Sequence, residues 1–110
     1  MPAACGIPRL QEATFDKAVV TGSTLALVHF VAQEADCGRC DPESCRPGVP
    51  CFCVAGESNP ALIARFGVGE YPTILLFSGG RVVRRLIGRP VPGQVLSILR
   101  TEGLLTRRGN

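Results

Sequence analysis

The hydrophobic pattern changes period several times along the chain, and each change marks an element. Residues 7–10, following Pro and Gly, read as a short apolar strand. Phe15, Ala18 and Val19 then fall at helical spacing, which predicts a helix over residues 13–20 with Thr14 as its N-cap. Residues 25–32, LALVHFVA, form a near-continuous apolar run of the kind buried on both faces of a parallel sheet. Residues 33–50 break the pattern. Acids, Gly and Pro crowd this stretch, and Pro42, Pro47 and Pro50 limit any helix there to a turn or two.

Order resumes with CFCVA, Cys51–Ala55, a second buried strand. Asn59 and Pro60 read as N-cap and first helical residue of a helix through Phe66, ended by Gly67 and Gly69. TILLF at 73–77 and Arg81–Ile87 flank Ser78-Gly79-Gly80, which predicts an antiparallel hairpin. Val95, Leu96, Ile98, Leu99 and Leu104 mark the apolar face of a closing helix after Pro92. The expected fold is α/β: a central mixed β-sheet flanked by helices on both faces, with a shortened irregular crossover over residues 33–50.

Length limits the chain to one domain, 1–110, with its core between about residues 7 and 105. There is no Trp and one Tyr, so burial rests on aliphatic residues and five Phe. The net charge is +3, and its densest cluster is Arg81, Arg84, Arg85 and Arg89, with Arg107 and Arg108 near the tail. A nucleic-acid face would interleave aromatics with these cations, and none do. They read as a solvated strand edge and tail, with no nucleic-acid partner expected. No charged start followed by a long apolar run suggests a secretory signal. The longest apolar stretch is too short to span a bilayer. The expected location is the cytoplasm, without membrane attachment.

Five of the six cysteines lie between Cys37 and Cys53. A disulfide framework would spread them along the chain, and a reducing cytosol favours redox or metal chemistry instead. Cys37-Gly38-Arg39-Cys40 can share one disulfide, and a thiol at a helix start has a pKa lowered from the ~8.5 of free Cys.

The segment NPALIARFGVGEYPTILLFSGGRVVRRLIG, residues 59–88, resembles the C-terminal half of thioredoxins. It shares the Asn-Pro helix start, the aromatic-Gly-Val turn, the Pro-Thr before a hydrophobic strand, and the Gly-led hairpin. The LALVHFVA strand ahead of Cys-Gly-Arg-Cys adds a second match in the right order. The resemblance implies a thioredoxin-like fold and thiol–disulfide oxidoreductase activity in cell redox homeostasis, with Cys37 as nucleophile and Cys40 as resolving thiol. It also implies a cis bond at Tyr71–Pro72 beside the dithiol, with Tyr71, Pro72 and Thr73 shaping a substrate groove. Its partners would be protein disulfide or thiol substrates and a reductase or other electron donor, with the chain a monomer that needs no cofactor.

Some positions depart from the family. Val31 stands where one flanking Trp is found, and Arg39 replaces Pro between the cysteines, where its charge favours the Cys37 thiolate. Extra residues before the dithiol bring in Glu34 and Asp36, which oppose that thiolate. His29 replaces the buried acid, either as a base for Cys40 or as a neutral core imidazole. The segment between Cys40 and Cys51 is much shorter than its counterpart.

Three alternatives remain for the other cysteines. Cys37, Cys40, Cys45 and either Cys51 or Cys53 could bind Zn²⁺ or an iron–sulfur cluster, although their spacing matches no familiar ligand pattern. Cys45 could pair with Cys40 or Cys51 to staple the crossover. Cys51 and Cys53, two apart on one strand face, could be small buried hydrophobes. A redox-inactive binding or assembly module is the non-enzymatic alternative. Cys5, alone near the start, reads as a bystander.

Overall fold

In a computed structural model of the protein, residues 8–22, 25–33, 36, 50–88 and 93–101 are described. A four-stranded sheet runs in the order β2-β1-β3-β4. Its strands are β1 (Leu25–Val31), β2 (Cys51–Ala55), β3 (Thr73–Ser78) and β4 (Arg81–Ile87). β1 pairs with β2 in parallel and with β3 antiparallel, and β3–β4 is an antiparallel hairpin. The mixed α/β sheet expected from the pattern is therefore present. The expected first strand appears as one bridge, Arg9 to Cys53, with backbone bonds from Leu10 N to Cys53 O and from Cys53 N to Pro8 O, each 2.9 Å.

The central strands are apolar on both sides because both sides are covered. Ala26, Val28, Phe30, Val54, Leu75 and Phe77 face one layer, where they pack with Leu10, Phe15, Val19 and Leu62. Phe66 joins them, its ring centroid 5.3 Å from Phe15 and 5.4 Å from Phe77. On the opposite face Leu27, Ile74 and Leu76 meet Leu99 of α3 (Gln94–Thr101). Period-2 alternation along β1 puts His29 on this second face, between Leu27 and Val31. The side chains of Val95 and Leu96 lie outside the described residues.

The first helix begins earlier than its sequence suggests. α1 is Glu12–Phe15, followed by a π-helical turn, Asp16–Val20, and the N-cap is Gln11. Thr14 sits at N3, and its hydroxyl oxygen accepts from Gln11 N at 3.0 Å. The reason is tertiary: Asn59 Oδ1 accepts the Glu12 N–H at 3.0 Å, so an orphan donor at the helix start is satisfied by a residue far along the chain. Asn59 holds the N-cap position of α2 (Pro60–Phe66), with Pro60 opening the helix and Gly67 closing it at φ +63°. Its side chain does not cap that helix. It donates to Ala55 O at 2.9 Å, while Glu12 Oε2 accepts from Ala61 N at 2.8 Å and supplies a carboxylate to the positive end of α2. The two helix starts thus cap one another.

Candidate functional site

The C-terminal ends of the parallel strands β1 and β2 lie at one end of the sheet. β3 starts and β4 finishes at that same end, since Phe30 pairs with Thr73 and Thr73 with Ile87. Chain connections converge there, and such strand ends are the usual place for ligands in α/β sheets. The segment leaving β1 is turned back at once. Asp36 N donates to Gln33 O at 2.9 Å, and Asp36 Oδ2 accepts from Gln33 N at 3.3 Å. This turn delivers the chain to position 37. Cys37, Gly38, Arg39, Cys40 and Cys45, together with Glu34 and Cys5, lie outside the described residues.

Facing this end is the loop into β3. The Tyr71–Pro72 peptide bond is cis. Thr73 is 1% exposed, and its hydroxyl donates to Glu70 O at 2.6 Å, which closes the loop on itself. Gly88 N donates to Pro72 O at 2.8 Å, so the end of β4 holds the loop from the other side. Tyr71 remains 42% exposed. Its hydroxyl reaches across to Gly56, the first residue after β2, where any side-chain carbon would collide with it. Gly56 is a site residue that sequence reading passed over. The available signal was a Gly directly after a buried strand, a position that suits close approach by another group.

His29 is half-buried and sits at the register position shared by Cys53 on β2 and Ile74 on β3. Cys53 is 2% exposed, clustered with Ala55 and Val31, and is disulfide-bonded. Cys51 is half-buried against the second core cluster and is in the thiol form. Cys53 is therefore not simply a small apolar filler, and Cys45 lies outside the described residues. The partner of Cys53 also lies outside the described residues. Among the described residues there is no group of three or more His, Cys, Asp or Glu able to hold a metal ion. No described helix is long and apolar enough to cross a membrane.

No family model matches the chain. A thioredoxin of Alicyclobacillus acidocaldarius subsp. acidocaldarius is 34% identical over 88 residues, which cover 72% of this chain and 81% of that protein. Among solved structures, a mutant thioredoxin from Halobacterium salinarum superposes with a TM-score of 0.71 at 19% identity, over 96% of this chain and 99% of that one. The structural likeness establishes the thioredoxin-like fold, and with the sequence relationship it shows that this chain belongs to the thioredoxin family.

Proposed function

We propose that the chain is a thiol–disulfide oxidoreductase that exchanges disulfides with protein substrates through Cys37 and Cys40. The reading rests on family membership, which supports a redox function of the thioredoxin kind. One structural observation carries it further: the Tyr71-Pro72-Thr73 loop stands at the same sheet end as the turn leading into Cys-Gly-Arg-Cys. In the reductive direction the Cys37 thiolate attacks a substrate disulfide, forming a mixed disulfide and releasing one substrate thiolate. The Cys40 thiolate then attacks Cys37 Sγ, freeing the second substrate thiol and leaving a Cys37–Cys40 disulfide. Two electrons pass to the substrate, and a reductase or other dithiol donor in the cytoplasm restores the pair. Arg39 favours the Cys37 thiolate electrostatically. His29, on the second face of β1, takes the proton of Cys40. Tyr71 and Pro72 line the substrate's path, and buried Thr73 shapes it by holding their loop closed on Glu70 O.

The test is reduction of a disulfide-bonded protein by the full chain and by two variants. Cys37→Ser is expected to abolish turnover, and Cys40→Ser to accumulate a mixed disulfide through Cys37. Undiminished turnover by Cys37→Ser overturns the assignment.

A further inference from the structure

β4 is an edge strand: among the described residues it pairs with β3 alone. An edge presents a row of unpaired backbone groups, a ready template for another strand. Gly88 N is directed inward to Pro72 O. By the alternation of an antiparallel ladder, the backbone groups of Arg85 and Ile87 point outward. The strand is exposed along its length except at Leu86, with Val82 and Val83 each 39% and Ile87 58% exposed. Leu76 opposes Arg84 and Phe77 opposes Val82, so Val83 is the extra residue of a bulge. Arg84–Ile87 is then the regular stretch, and it runs directly to the Pro72 loop.

Charge decides what can pair there. β4 carries Arg81, Arg84 and Arg85 and no acid. A second copy added antiparallel about the strand midpoint would set Arg84 opposite Arg84, and like charges directly opposite one another are destabilising. The chain's own tail, with Arg107 and Arg108, has the same sign. We infer that the β4 edge is a docking strand for an extended acidic segment of another protein, which adds to the sheet through its backbone and sets carboxylates beside Arg81 and Arg84 on the face shared with Leu86, and apolar residues beside Val82 and Ile87 on the other. Arg85 lies on the face of Ile87 and is already engaged, its guanidinium donating to Phe66 O at 2.6 Å. This surface does not depend on the exchange chemistry.

The experiment is fluorescence anisotropy of the full chain with three labelled octapeptides: alternating Glu-Val, alternating Lys-Val, and Glu-Val N-methylated along one backbone edge. Only the unmodified acidic peptide should bind measurably, at least tenfold more tightly than either control. Amide NMR shifts should concentrate on residues 84–88, and Arg81→Glu/Arg84→Glu/Arg85→Glu should lose the binding. The peptide controls need no variant to fold. Equal binding of the N-methylated peptide would reduce the effect to non-directional charge attraction and overturn strand addition. Absence of binding, or a dimer in sedimentation that the triple variant dissolves, would also overturn it.

Discussion

The Tyr71 hydroxyl occupies the space that a Cβ on Gly56 would need. A loop residue and the end of a buried strand are thereby locked together, although Tyr71 is one of the more exposed large side chains. Gly56→Ala forces the ring away or shifts the end of β2. The expected cost is about 1–3 kcal/mol, typical of inserting a carbon where packing leaves no room. Thermal unfolding measures it, and Gly56→Ala combined with Tyr71→Ala should cost less than the sum of the two single changes. Strict additivity would mean that the two residues do not oppose one another in solution.

The thiol inventory gives a sharper expectation. Cys53 is oxidised and buried, whereas Cys51, two residues earlier on the same strand face, is a thiol. Denaturation in iodoacetamide without reductant should alkylate Cys51 and leave Cys53 unmodified. Peptide mapping should then link Cys53 to one of Cys5, Cys37, Cys40 or Cys45. A link to Cys5 or Cys45 leaves the dithiol intact and makes the bond a staple. A link to Cys37 or Cys40 makes Cys53 a third participant in exchange. Alkylation of Cys53 without reductant contradicts the structure.

Asn59 joins three elements through one side chain, bonding Glu12 N and Ala55 O while 1% exposed. Asn59→Ala leaves a buried carbonyl and a helix-start N–H without these partners. The expected loss is roughly 1–3 kcal/mol, the penalty for stranding a buried polar group. Asn59→Asp keeps the acceptor for Glu12 N but sets a buried carboxylate oxygen against Ala55 O, so the denaturant midpoints of both variants should fall below wild type. An alanine variant as stable as wild type would remove Asn59 from its joining role.

These residues also show why parts of the molecule are legible in sequence and parts are not. The β3–β4 hairpin is written locally, in two apolar runs around Gly-Gly, and it appears where expected. Asn59-Pro60 likewise announces a helix start. The start of α1 is not local: Thr14 has the right chemistry for an N-cap, but Asn59 satisfies Glu12 N from 47 residues away and moves the helix start to Glu12. The strand face shared by Cys51 and Cys53 follows from period 2, whereas their different oxidation states depend on partners brought in by tertiary structure. Gly56 could be seen as a breaker after a strand, but not as the seat of a tyrosine from the opposite loop.

Leu99 tests how far the second face depends on α3. It is fully buried and, among the described side chains of α3, enters the Leu27–Ile74–Leu76 cluster with Ile98 packed alongside. Cys51 leans on the same cluster. Leu99→Ala removes the contact and leaves a cavity, which costs about 2–5 kcal/mol for a buried leucine. Part of that loss should appear as local opening of α3, whose docking on the sheet uses this contact. Two measurements separate local from global effects: hydrogen exchange of the α3 amides and the rate at which native Cys51 reacts with a maleimide. Both should rise in Leu99→Ala under conditions where the sheet amides of β1 and β3 stay protected. If Cys51 labelling is unchanged while the melting temperature falls, the β2 end of this face is held by elements other than α3.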